Sequence, residues 1–170
     1  MGYETPFGPG KPYLTDSFAG KILGGWSFNG ILTFQGGPWI TAVIPTDRLD
    51  VGSTASSRPD LVRTPNLGNS ERTTGRWFDT SAFALPAAFT YGNAGRAVIE
   101  GPGLANLDFA LLREFRTSET TRLEFRYELF NAANHANYGL PDLSFGTTAF
   151  GVIGSALPAR QMQFGLKFYF

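Results

Sequence analysis

The chain closes on Met162-Gln163-Phe164-Gly165-Leu166-Lys167-Phe168-Tyr169-Phe170, where apolar side chains alternate with others up to a terminal phenylalanine. A period of two places Met162, Phe164, Leu166, Phe168 and Phe170 on one face of a strand and Lys167 on the other. Residues 122–129 repeat the pattern, with Leu123, Phe125, Tyr127 and Leu129 alternating with Arg122, Glu124, Arg126 and Glu128. Over residues 106–115, Leu107, Phe109, Leu111 and Phe115 alternate with Asn106, Asp108, Ala110, Leu112 and Glu114, and Arg113 breaks the apolar face near its end. Over residues 25–35, Trp26, Phe28, Gly30, Leu32 and Phe34 share one face, with Ser27, Asn29, Ile31, Thr33 and Gln35 on the other. Residues 3–7 read as the end of one more strand, and residues 39–44 as a continuation of 25–35 past a bulge at Gly36-Gly37-Pro38.

The connections differ in length. Gly8-Pro9-Gly10-Lys11-Pro12 reads as a turn, and Arg116-Thr117-Ser118-Glu119-Thr120 as a short polar link. Residues 45–102 hold clusters of Pro, Gly, Asn, Ser and Arg with no sustained period, and a second loop covers residues 131–157. Structureless loops beyond about 15 residues are uncommon in compact soluble domains, whereas barrels keep long loops outside the cell and short turns in the periplasm. With the terminal residue at a periplasmic rim, every short turn falls on that side and both long loops fall outside.

These patterns predict an all-β fold: an antiparallel transmembrane β-barrel segment of about four complete strands plus part of a fifth, with two long extracellular loops. The predicted lipid-facing row is Trp26, Phe28, Leu32, Phe34, Leu107, Phe109, Leu111, Phe115, Leu123, Phe125, Tyr127, Leu129, Met162, Phe164, Leu166, Phe168 and Phe170. The predicted lumen-facing row is Asp108, Glu114, Arg122, Glu124, Arg126, Glu128 and Lys167, whose mixed signs permit cross-strand pairing. Trp26, Phe115 and Phe168 to Phe170 fall at one level, as an aromatic girdle requires, with Arg113 beside them placed to snorkel to headgroups. Alternation alone leaves a soluble all-β ligand-binding domain open, with one face solvated and the other on a core. A structural or adhesion barrel without transport is a further alternative. An open sheet leaves backbone groups unpaired in hydrocarbon, and small barrels need about eight strands, so the segment is expected to be completed by other sequence.

Composition narrows the picture only in places. Among 170 residues, Lys plus Arg total 14 and Asp plus Glu total 14, so no net field favours nucleic acid. Phe at 16 and Gly at 21 are high for a globular domain, and Cys is absent. No apolar run approaches the roughly 18 residues of a membrane helix. The start, Met1-Gly2-Tyr3-Glu4-Thr5-Pro6, carries no signal-peptide pattern, which leads to the expectation that Met1 is not the natural start. His135 is the single histidine and lies outside any metal-ligand spacing, and no nucleophile has a visible base partner, so no catalysis, metal or cofactor is expected. Asn131, Asn134 and Asn137 are expected to satisfy turn backbone. Trp77, Phe83, Tyr91 and His135 are candidate loop contacts, with packing of the long loop as the plainer role for the aromatics.

Several segments carry a resemblance. They include Tyr3-Glu4-Thr5-Pro6-Phe7-Gly8, Gly25-Trp26-Ser27-Phe28-Asn29-Gly30-Ile31-Leu32-Thr33-Phe34-Gln35, Trp77-Phe78-Asp79-Thr80-Ser81-Ala82-Phe83 and Tyr91-Gly92-Asn93-Ala94-Gly95-Arg96. Gly101-Pro102-Gly103, Asn106-Leu107-Asp108, Phe125-Arg126-Tyr127-Glu128-Leu129-Phe130-Asn131, His135 to Gly139 and Arg160-Gln161-Met162-Gln163-Phe164 continue the series. In this order the chain resembles the C-terminal end of a TonB-dependent outer-membrane receptor of the Oar-like group, which carries a carboxypeptidase-regulatory-like domain at its N-terminus. The resemblance implies an outer-membrane barrel of about 22 strands blocked by a plug. It also implies uptake driven by contact with TonB, and a C-terminal strand read by the barrel-assembly machinery. Implied partners are the rest of the barrel, the plug, the TonB system and outer-membrane lipid. In that group the cargo is poorly defined, and saccharide, peptide and protein-export roles all remain open. Plug, TonB box and signal peptide are not in these residues, which would form one domain of barrel wall over 1–170.

Overall fold

The structure is a computed structural model that describes residues 2–8, 10–15, 17–52, 57–116, 118 and 120–170. Met1, Pro9 of the turn at residues 8–12, and Thr117 and Glu119 of the link at residues 116–120 lie outside the described residues. In chain order the elements are β1 (Gly2–Glu4), α1 (Phe18–Leu23), β2 (Trp26–Gln35), β3 (Trp39–Ile40), β4 (Asp60–Leu61), β5 (Phe83–Ala84), β6 (Ile99–Glu100), β7 (Leu104–Arg116), β8 (Arg122–Phe130) and β9 (Gln161–Tyr169). A single 3-10 turn, Thr80–Ala82, precedes β5. The chain forms two compact units, one from Met1–Phe34, Ala105–Ala136 and Pro158–Phe170, the other from Gln35–Leu104 and Asn137–Leu157.

The first unit is built on a five-stranded sheet in the order β1-β2-β7-β8-β9. Pairing is antiparallel between β1 and β2, β7 and β8, and β8 and β9. The long strands form where aromatic and branched side chains alternate with polar ones, the pattern that fits a pleated surface. The β8 strand stops at Asn131, which has φ 50°. Its side chain accepts from His135 N–H at 2.9 Å and donates to His135 C=O at 2.9 Å, closing a tight turn. Both long connections leave and re-enter the sheet at one strand end, after β2 and after β8.

Helix α1 was not expected from the sequence, and it makes the first connection longer than the short turn predicted there. Ser17 caps it, with its hydroxyl accepting from Gly20 N–H at 3.0 Å. Gly20 is buried and close-packed: an added Cβ would sit 1.8 Å from Leu14 O. Side-chain bulk at that point is sterically excluded.

The second unit contains what the sequence left as two structureless loops. Strand β3 pairs with β6, and β4 with β5, each over two residues. Trp39–Ile40 is therefore not a continuation of β2, because its backbone partners are Ile99 and Glu100 within this unit. Its core is Ala42, Phe78, Ala82, Phe83, Ala94, Ile99 and Phe150. Phe78, Phe83 and Phe150 meet edge to face, with ring centroids 5.0 to 5.9 Å apart, the geometry favoured by the ring quadrupole. Every fully buried hydrophobic residue among the described residues belongs to this unit.

Side chains complete the backbone bonding of its short strands. Asn93 Oδ1 accepts from Leu61 N–H at 2.6 Å while Asn93 N–H donates to Asp60 Oδ1 at 2.8 Å. Asn66 accepts from Glu100 N–H at 2.8 Å and donates to Val98 C=O at 3.0 Å. Such bonds let an irregular segment meet the requirement that buried backbone groups be paired.

Candidate lipid and lumen faces

The register across β7, β8 and β9 sorts side chains into two rows. Phe109–Leu129–Met162, Leu111–Tyr127–Phe164, Arg113–Phe125–Leu166 and Phe115–Leu123–Phe168 run across one face. Ala110–Glu128–Gln163, Leu112–Arg126–Gly165, Glu114–Glu124–Lys167 and Arg116–Arg122–Tyr169 run across the other. On the apolar face, Phe28 of β2 approaches Phe109 at 6.1 Å between ring centroids. The row is open on β9, where Met162, Phe164 and Leu166 are 62%, 69% and 70% exposed, whereas Phe109 and Leu111 of β7 and Leu123, Phe125, Tyr127 and Leu129 of β8 are half-buried. In β2, Leu32 and Phe34 are equally open, while Trp26 and Phe28 are half-buried; Leu107 and Phe115 are marginally exposed, and Phe170 is exposed with its ring stacked on Phe168 at 6.0 Å.

The polar face is a ladder of paired charges. Arg126 lies between Glu124 and Glu128, at 3.9 and 3.5 Å, and Glu114 is shared by Arg116 at 3.1 Å and Arg122 at 3.8 Å. The Tyr169 ring receives the Arg122 guanidinium at 4.2 Å and Lys167 Nζ at 5.3 Å, and its hydroxyl donates to Glu124 at 3.4 Å. Asp108 accepts from the Asn131 N–H and the Asn106 amide, both at 2.9 Å, and so fixes the end of β8. Gly165 stands opposite Arg126, leaving an open depression of about 230 Å³ lined by Glu124, Arg126, Gly165, Leu166 and Lys167. Exposed pairs of this kind contribute little stability each, about 0–1 kcal/mol. Their effect is to make one face of the sheet wettable.

Arg113 is the exception on the apolar face, and it is buried, at 8% exposure. Its guanidinium donates to Ile22 C=O at 2.5 Å and to Lys21 C=O, and Trp26 Nε1 donates to the same Ile22 carbonyl at 3.0 Å. The charge thus meets the negative end of α1 instead of reaching outward as the sequence reading proposed. Faces of Trp26 and Phe115 flank it at 5.0 and 4.3 Å, a cation–π arrangement. Sequence reasoning missed the partner because α1 is too short to show a helical period; Ser17 and Gly24 were its only signals.

The candidate loop residues separate. Phe83 is buried, and Trp77 is half-buried with its indole N–H donating to Glu100 C=O at 2.9 Å and Arg72 over its ring at 5.4 Å. Both therefore pack inside the second unit. Tyr91, in that unit, and His135, in the first, are exposed. Asp79 caps the 3-10 turn and accepts from Ser81 Oγ at 2.7 Å and Arg63 Nε at 2.9 Å, with Arg76 at 3.3 Å. The Ser81 hydrogen bond, followed by Arg63, holds its carboxyl below the usual range against the opposing effect of desolvation.

The sheet thus carries two rows of opposite character, with the greasy one open on β9. A family model described as outer membrane beta barrel domain matches residues 1–163. The chain belongs to this family. No curated protein and no solved structure matches it. Membership in the outer membrane beta barrel domain family places the chain in an outer membrane. The family is one of barrel walls, not of catalysts, and among the described residues no three His, Cys, Asp or Glu side chains group as a metal site. No helix of the described residues is long and apolar enough to cross a membrane, whereas outer-membrane barrels cross with strands. Among the described residues the five-stranded sheet has β1 and β9 at its margins.

Proposed function

We propose that the chain is a wall segment of a TonB-dependent outer-membrane transporter, with residues 1–170 forming the C-terminal part of its barrel. The reading rests first on the apolar row of β7, β8 and β9, open on β9, behind a paired polar row. In it, Trp26, Phe28, Leu32, Phe34, Leu107, Phe109, Leu111, Phe115, Leu123, Phe125, Tyr127, Leu129, Met162, Phe164, Leu166, Phe168 and Phe170 meet lipid. Asp108, Glu114, Arg122, Glu124, Arg126, Glu128 and Lys167 line the water-filled interior. The margins at β1 and β9 pair with strands supplied by the rest of the barrel, which removes unsatisfied backbone from the hydrocarbon. The two long connections, after β2 and after β8, are extracellular loops, and exposed Tyr91 in the first of them is available to cargo. The transport assignment is supported by the ordered resemblance along the chain, and its partners are a plug, TonB, the barrel-assembly machinery and outer-membrane lipid.

Capture of the intact gene product, extracted from outer membranes, by the periplasmic domain of TonB tests this function. Specific retention is the expected result. An outer-membrane product that TonB does not retain is a structural or adhesion barrel instead.

A further inference from the structure

We infer that α1 is an interfacial anchor that lays one face into the inner leaflet of the outer membrane, with phospholipid as its occupant. The inference rests on the lipid-facing assignment proposed above. Residues two apart on a helix lie roughly 200° apart around its axis, so Phe18 and Ile22 both point away from Gly20. Gly20 is buried against Leu14 O, and Gly24 against Phe7 O and Gly20 O, which presses this side of the helix onto the chain below. The opposite side is therefore turned outward, and it carries Phe18 at 79% exposure and Ile22 at 49%.

Where that side looks is fixed by Arg113. Its side chain belongs to the apolar row, between Phe125 on one neighbour and the Trp26 ring, and it donates to the last carbonyls of α1. The helix C-terminus is thereby fastened to the apolar face of the sheet, not to its charged face. It sits at the strand end where β2 begins and β7 and β9 finish, the end opposite both long connections. The apolar surface of the wall thus continues onto the helix. Exposed Lys21 lies three residues from Phe18, on the same side, where its ammonium meets lipid phosphate. Short amphipathic segments of this make lie in the interface with apolar side chains about 5–10 Å into the headgroup and acyl boundary. Trp26 Nε1 and Arg113 Nη1 both donate to the Ile22 carbonyl and Arg113 Nη2 to that of Lys21, while Arg113 Nε is buried without a partner among the described residues.

Residues 1–170 hold no cysteine, so single substitutions Phe18→Cys, Ile22→Cys, Lys21→Cys and Leu166→Cys give unique nitroxide sites in an intact gene product whose cysteines outside these residues, if present, are replaced by serine. The product is reconstituted in phosphatidylethanolamine–phosphatidylglycerol vesicles, and accessibility to oxygen and to a water-soluble nickel complex is measured. Labels at residues 18 and 22 are expected to favour oxygen at a shallow depth, with residue 21 at phosphate level and residue 166 deeper. Residue 166 in lipid with residues 18 and 22 open to nickel overturns the anchor and leaves the wall assignment standing. Residue 166 in lipid with residue 18 shielded from both probes also overturns it, in favour of a protein contact. All positions open to nickel defeats the wall assignment and the anchor with it.

Discussion

Tyr127 of β8 and Phe164 of β9 oppose each other in register and stack, with ring centroids 4.7 Å apart and planes 21° from parallel. The Tyr127 hydroxyl contacts Met162 Sδ at 3.4 Å, one row along the same face. A stacked aromatic pair adds about 0.5–1.5 kcal/mol beyond area burial, enough to hold register but not to bury Phe164, which stays 69% exposed. The face is ordered by cross-strand contacts and is left open on β9.

Phe164→Arg is expected to destabilise the folded intact product in lipid vesicles by about 2–4 kcal/mol, because it places a cation near the middle of β9 on the face proposed to meet lipid. Gln163→Arg, one residue away and opposite Glu128, is expected to change stability by less than about 0.5 kcal/mol. Urea titrations of both variants check the contrast.

Phe78→Ala is expected to cost the second unit about 3–5 kcal/mol, since the ring is 1% exposed and touches both Phe83 and Phe150. Limited proteolysis of intact cells reads this out as rapid cleavage within residues 36–103, with the membrane-protected strands unchanged.

Gly92→Ala places a Cβ 2.0 Å from Arg58 O and 2.5 Å from Pro59 O, backbone atoms that cannot step aside. A loss of about 1–3 kcal/mol or more is expected in the same proteolysis assay. Gly75→Ala, with nothing within 4 Å, is the matched control and is expected to leave cleavage unchanged.

Asp79 sets an acid limit on the second unit. Its folded-state carboxyl is held below the ordinary aspartate value of about 3.9, so it binds fewer protons folded than unfolded. Its stabilisation is complete above that value and is lost as pH falls through the lower folded one. Proteolysis by an acid protease across this window is expected to show a fall in protection that Asp79→Asn lacks, the variant being less protected at neutral pH.

The sheet was legible because its strands are long enough for a period of two to repeat, and the register then follows from which side chains must share a face. The connection after β1 was not. In Phe18–Leu23 a glycine sits mid-helix, and the element is held by Ser17, Arg113 and close backbone approach rather than by periodicity. The second unit was equally opaque, since a two-residue strand such as Asp60–Leu61 has no period to read. Its short strands are tied by bonds between residues more than thirty apart, such as Asn93 with Leu61, which no local pattern reveals. Arg113 was correctly placed on the apolar face, but its partner lay in the helix that went unread.

The central claim is that alternate residues of one strand meet lipid and water, and consecutive cysteines along β9 test it most directly. Single nitroxide labels from Met162 to Phe168, in the intact product in lipid vesicles, are scanned for oxygen and nickel accessibility. The expected profile has a period of two, with lipid at Met162, Phe164, Leu166 and Phe168 and water at Gln163, Gly165 and Lys167. A flat profile, or the same alternation with the two sets exchanged, contradicts the account.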